Sequence, residues 1–254
     1  MMALSLETKR IKPPRIIIYG SQGCGKSTFG SLAPNPVFIQ TEDGIDALDV
    51  QAFPLARSFQ DVLNSMRELA ETEHDFKTLV VDSVDWLERL IHTQVCAEKK
   101  VGNIDEIPYG KGFSLAIDIW RQYIDALNYL RDEKDMVIIQ IAHAEIKRFE
   151  NPETDSYDRY NIKLHKSASA LLLEHSDIVL FLNHVVNVKK TKEGFSERKR
   201  AFGDGERVLY SEERPAFIAK NRYALPPEIP FTRDGSYWAT IAQYVPYFGK
   251  MMGG

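Results

Sequence analysis

Nine consecutive residues, Gly20, Ser21, Gln22, Gly23, Cys24, Gly25, Lys26, Ser27 and Thr28, combine three glycines with one lysine and two terminal hydroxyls. Their spacing fits G-x-x-x-x-G-K-[ST]. Glycines allow the backbone to point successive N–H groups inward at an anion, and a helix start adds the positive end of a dipole. A lysine there supplies charge for β and γ phosphates, and the Ser27 hydroxyl can ligate Mg²⁺. Context makes the match specific, because the apolar run "RIIIY" (15–19) precedes it and the helical "KSTFGSLA" follows. Residues 20–28 are therefore expected to cradle a nucleotide, with ATP and Mg²⁺ as cofactors. Cys24 lies in the cradle, where a helix start could depress its thiol pKa, although a small loop-filling role is simpler.

Other residues stand where they could serve that cradle. Asp82 ends the apolar run "TLVVD" and can hold the metal through water; it can also cap the helix that "DSVDW" begins, as can Ser83. Glu42, in "FIQTEDG", can orient or deprotonate a water in line with the γ phosphate, with Asp43 as the competing carboxylate. His143, in "IIQIAHAE", can contact the γ phosphate or serve as a packed polar group. Near the chain's end, "PAFIAKNRYALP" reads as a short strand (216–219) that delivers Lys220 and Arg222, two apart and so facing one way. They can meet an anion or guard a sheet edge with charge.

The elements that must position these groups follow from apolar periodicity. Five short apolar runs, 15–19, 36–40, 78–82, 136–142 and 177–182, read as strands buried on both faces. Helical stripes separate them: Phe59 to Ala70, Leu87 to Val95 and Phe113 to Leu127. After the fifth strand come short β segments. The order implies an α/β fold, a mainly parallel twisted sheet covered by helices on both faces, with an antiparallel β addition on the C-terminal side. One domain over 1–254 is expected, with a short extension (1–12), a basic hairpin (184–210) and a flexible tail (246–254).

The chain has 254 residues, 44% hydrophobic and 27% charged, and a net charge of −4, which disfavours bulk coating of nucleic acid. Two distant cysteines argue against a disulfide framework or zinc site. The start, "MMALSLETKRIKPPR", lacks the apolar core of a secretory signal, and no run is long enough to span a membrane, so a cytoplasmic location is expected.

Two polar stretches carry local cations. The segment 146–166, without clear period, holds Lys147, Arg148, Arg159 and Lys163 interleaved with Phe149, Tyr157 and Tyr160, a combination suited to stacking single-stranded bases. The hairpin adds Lys189, Lys190, Lys192, Arg198, Lys199 and Arg200 against two glutamates, a phosphate-tracking patch or a solvated tip.

"FIQTEDGIDAL", "LVVDSVDWL" and the "NPET" of 151–154 resemble, in order and spacing, the core of RecA recombinases. "AKNRYALP" resembles the K-x-R element of RecA-like hexameric helicases. The whole is similar to phage ATP-binding proteins of the single-strand annealing type. The resemblance implies a RecA-like ATPase, with Glu42 rather than Asp43 as the catalytic carboxylate and 146–166 as a mobile DNA-binding loop. It also implies Lys220 and Arg222 as fingers completing a neighbour's ATP site, single-stranded DNA and further copies of the chain as partners, and a possible single-strand-binding helper. A nucleotide-switched assembly or helicase-loading ATPase is the alternative. His143 departs from the glutamine usual in RecA-like proteins, and the nearly missing N-terminal extension leaves rings as well as filaments open.

Overall fold

The computed structural model describes residues 8–185, 187–193, 196–202 and 205–252, with the backbone alone at 187–193, 196–202 and 252. Strand β1 (Arg15–Gly20) leads through the glycine-rich turn into helix α1 (Lys26–Ser31), then β2 (Pro36–Gln40) and the short β3 (Gln51–Ala52). Helix α2 (Phe59–Glu71) precedes β4 (Thr78–Asp82), α3 (Val84–Lys99) and the long α4 (Lys111–Glu133). Next come β5 (Val137–Phe149), β6 (Tyr157–Ile162), α5 (Lys166–His175) and β7 (Ile178–His184). The C-terminal part supplies β8 (Asn187–Glu193), β9 (Ser196–Phe202), β10 (Arg207–Tyr210), β11 (Lys220–Asn221), β12 (Glu228–Pro230), α6 (Tyr237–Tyr244) and α7 (Pro246–Met252).

The main sheet runs β12-β10-β7-β1-β5-β4-β2-β3. Its centre, β7-β1-β5-β4-β2, is parallel, while β10, β11 and β12 add antiparallel pairs on the far side of β7. This is the α/β architecture that the alternation of runs and stripes implies. Strand pleat divides the core: Ile17, Tyr19, Leu79, Val81 and Ile138 face the layer of α2, α3, α4 and α5. Ile16, Ile18, Val80 and Ile139 face the layer of α1, α6 and α7. Burial on both faces explains why these strands read as unbroken apolar runs. Local chemistry fixes the helix starts as well. At α2, Ser58 Oγ accepts from the Asp61 N–H and Asp61 Oδ2 accepts from the Ser58 N–H, a complete capping box.

Four expectations change. The stretch 146–166 is not a loop: β5 continues past the sheet to Phe149 and pairs antiparallel with β6, from Ala144↔Ile162 to Phe149↔Tyr157. This arm leaves the sheet, where alternation of apolar side chains is no longer required, so its strands carried no period. The end of the chain is not a flexible tail through 252, because Val245, Tyr247 and Phe248 are buried against the α1 side of the sheet. Residues 216–219 form no strand; a tight turn with paired Arg214 and Phe217 leads directly to β11. The hairpin proper is β8–β9, since His184 and Arg207 pair with each other inside the main sheet.

Candidate functional site

The parallel strands end together. Gly20 stands beside His143 on one side and Leu182 on the other, and Gln40 stands beside Asp82. Residues just beyond these ends line a cavity of about 430 Å³, among them Gly23, Gly25, Lys26, Ser27, Glu42, Asp43, Asp82 and His143. Placement at the carboxyl edge of a parallel sheet is the rule for ligand crevices in open α/β folds.

Two glycines are required by geometry. A Cβ on Gly20 would lie 2.2 Å from the Leu182 carbonyl oxygen of β7. Gly25 has φ +109°, and a Cβ there would lie 2.7 Å from Arg207 Nη1. That arginine, on β10, donates to the Cys24 carbonyl at 2.9 Å and stacks on Phe231 at 4.8 Å, closing the cradle from outside. Cys24 itself is buried, and burial raises its thiol above the ordinary value, the reverse of an activated thiolate.

Lys26 is buried on the cavity floor, its Nζ donating to the carbonyls of Gly20 and Ser21 at 3.2 and 3.0 Å. Ser27 Oγ donates to Asp82 Oδ2 at 2.6 Å. Burial raises Asp82 above the usual carboxylate range against that hydrogen bond, and Glu42 adds to the rise. A hydroxyl and a carboxylate held this close offer hard oxygen ligands to one cation, which suits Mg²⁺ bound mainly through phosphate and water. Among the described residues no group of three or more His, Cys, Asp or Glu could hold a metal by itself, in keeping with so sparse a protein ligand set.

Glu42 is half-buried, and its Oε2 accepts from Ser83 Oγ at 3.2 Å, whereas Asp43 is exposed. Ser83 stands at the start of α3 but makes no side-chain cap, its hydroxyl being turned to Glu42 instead. Thr41 ties the two strand ends, donating to the Ser83 carbonyl at 2.6 Å and accepting from its N–H at 2.9 Å. His143 Nδ1 lies 3.0 Å from Asp85 Oδ2 and 3.8 Å from Glu42 Oε2. Asp85 and Arg207 were not picked out from sequence. Asp85 had a faint signal, a second acid three residues after Asp82; Arg207 had none, standing in a short β segment far along the chain.

Lys220 and Arg222 occupy the opposite end of the sheet. Lys220 pairs with Val179 near the amino end of β7, whereas Leu182 neighbours Gly20 at the other end. The two cations do not converge. Lys220 Nζ donates to the Leu173 and Glu174 carbonyls at the end of α5, at 2.8 and 3.2 Å, and burial lowers its pKa with Arg222 adding to the effect. Arg222, half-exposed, donates to Asp177 Oδ1 at 3.0 Å. Asp177 also takes three hydrogen bonds from Arg15.

On the arm, Lys147, Arg148 and Lys163 are exposed, with Lys147 paired to Glu145 at 2.7 Å. Phe149 and Tyr157 face each other, half-buried, at 5.4 Å. Two expected nucleic-acid contacts are corrected. Arg159 is buried, paired with Glu213 and donating to the Phe217 carbonyl at 3.2 Å. Tyr160 packs on Phe181 at 5.1 Å and its N–H bonds the Ala216 carbonyl. The 211–219 segment meets both, Arg159 through its side chain and Tyr160 through a backbone bridge to Phe217. The side chains of Lys189, Lys190, Lys192, Arg198, Lys199 and Arg200 lie outside the described residues. Among the described residues no helix is long and apolar enough to cross a membrane.

Comparison with known proteins adds three findings. The "SPbeta prophage-derived uncharacterized protein YorG" of Bacillus subtilis (strain 168) is 27% identical over 188 residues, covering 71% of this chain and 54% of that protein. The chain thus spans about half the length of the curated relative it matches. The crystal structure of the RadB recombinase superposes with a TM-score of 0.48 at 15% identity, covering 89% of this chain and 90% of that one. The family model AAA_24, described as an AAA domain, matches residues 12–223, a span that holds the phosphate cradle, every strand end that faces it and the two late cations. The chain belongs to that AAA-domain family, with the G-x-x-x-x-G-K-[ST] phosphate cradle at residues 20–28 inside the matched span.

Proposed function

We propose that the protein is an Mg²⁺-ATP-dependent single-stranded-DNA-binding protein that promotes annealing or strand pairing in phage recombination, with its ATP site completed by a second copy of the chain. The observation that carries this reading is the continuity of β5. One strand runs from His143 at the phosphate cavity to Lys147 and Arg148 on an exposed arm, so a change at the cavity has a short, stiff route to a cationic surface. The prophage origin in the name of the relative supports the phage setting.

Bound Mg²⁺ would polarise the phosphoryl oxygens and neutralise their charge. Ser27 and Asp82 would hold it, Lys26 would turn from the loop carbonyls to the phosphates, and Glu42 would orient the attacking water. Lys220 and Arg222 cannot reach this cavity in their own chain, being at the other end of β7. Any γ phosphate they touch belongs to another copy, and reaching it requires Arg222 to leave Asp177. Arg148, Lys163, Lys147, Phe149 and Tyr157, with the basic hairpin, would contact the strand through phosphate and stacking.

The test is ATP turnover and oligonucleotide binding with ATP, ADP or no nucleotide across a salt series. The reading expects tighter binding with ATP that weakens as salt rises; nucleotide-independent binding at low salt rejects it. A second reading, a nucleotide-switched module acting on protein, draws on the net charge of −4 and on the Lys147–Glu145 pair, which offsets part of the arm's charge. Alanine at Lys189, Lys190 and Lys192, or at Arg148, separates the two, because only a DNA tracker loses oligonucleotide affinity.

A further inference from the structure

His143 is the last residue of β5 paired in parallel with β1, and Ala144 is the first paired antiparallel with β6. Asp85 reaches that junction from the first turn of α3, with its side chain 5% exposed. One of its oxygens accepts the His143 backbone N–H at 3.0 Å, and both lie near His143 Nδ1, at 3.2 and 3.0 Å. A single carboxylate therefore grips the main chain and the side chain of the same residue. Burial raises Asp85, but the hydrogen bonds from His143 outweigh it and hold the group below its ordinary value. An ionised carboxylate only accepts, so Nδ1 carries the proton and Nε2 is left for the cavity that His143 lines.

We propose that Asp85 is a positioning residue for ATP hydrolysis, holding His143 as its Nδ1–H tautomer and fixing the point at which the phosphate cavity passes into the β5–β6 arm. The inference rests on reading the cavity as the ATP site and is independent of what the arm binds. A carboxylate that served only to pack the start of α3 would affect folding and nucleotide binding together. A positioning residue instead separates binding from turnover.

The experiment uses the full chain without DNA. In ¹⁵N spectra of the wild-type protein, His143 is expected protonated at Nδ1, and an Nε2–H ring overturns the proposal. Asp85→Asn, folded by its melting curve, is expected to bind a fluorescent ATP analogue within threefold of wild type, to lose at least tenfold in kcat, and to show mixed tautomers. A fall in kcat below threefold overturns the proposal, as does a parallel loss of nucleotide affinity. Should Asp85→Asn fail to fold, or should the wild type show no turnover, the wild-type tautomer decides. A chain that hydrolyses ATP and obeys these outcomes yet ignores oligonucleotides would refute the DNA reading alone.

Discussion

Gly20 has a backbone carbonyl where any side chain would begin, and neither β1 nor β7 can move without disturbing the centre of the sheet. Gly20→Ala is therefore expected to cost about 1–3 kcal/mol, lowering the melting temperature by roughly 2–4 °C per kcal/mol, and to abolish nucleotide binding. Gly44→Ala, with nothing within 4 Å, should melt like wild type and serves as the control. Asp82→Asn keeps the shape beside Ser27 but removes the anion. Titration of a fluorescent nucleotide with and without Mg²⁺ should show the metal's contribution reduced at least roughly tenfold. At this scale the sequence was legible wherever chain order alone brings groups together. Residues 20–28 are one turn and one helix start, so their spacing is their geometry. Arg207 closes the same turn from 183 residues beyond Cys24, and no local pattern marks a contact that depends on sheet order.

Elements that bury both faces announced themselves, and those that stand off the sheet did not. The apolar runs of β1, β4 and β7 exist because helices cover each side, whereas β6 needs only a partial cover and spells "YDRYNI" without a clear period. Helices α6 and α7 were missed for a related reason: they are short, and their aromatic residues pack through a cluster with Phe29 and Phe231 rather than along a stripe. Removing residues 245–254 should expose that cluster. With Val245, Tyr247 and Phe248 lost at about 1.5–3 kcal/mol each, a thermal melt is expected to show a strongly destabilised or unfolded chain. Helix α3 carries a different signal. Burial, with Asp85 and Glu145 nearby, pushes Glu88 up to about 7 against the His165 N–H that it accepts. Between the ordinary value of 4.5 and 7 the folded chain keeps a proton that the unfolded chain has released. Glu88 thus contributes most stability below 4.5, and the contribution is lost as pH rises to 7. Glu88→Gln should flatten the fall in melting temperature between about pH 5 and 8; an unchanged slope would place the titration elsewhere.

For the whole molecule, the separation along β7 matters most. The phosphate cradle lies at one end of that strand and the Lys220–Arg222 pair at the other. If another chain's cations complete each site, neither Lys26→Ala nor Arg222→Ala protein should turn over ATP alone, yet a mixture should recover part of the wild-type rate. Steady-state hydrolysis across mixing ratios measures this, and a flat line at the sum of the two rates removes the shared site. Contacts of this kind join unlike surfaces, head to tail. In an open row of such copies the last cradle always lacks its donor, whereas a closed circle leaves none idle. Turnover per chain would then climb with length towards a plateau in the first case, and jump to full value at one fixed stoichiometry in the second. Counting active sites against particle mass would thus report whether the assembly has ends.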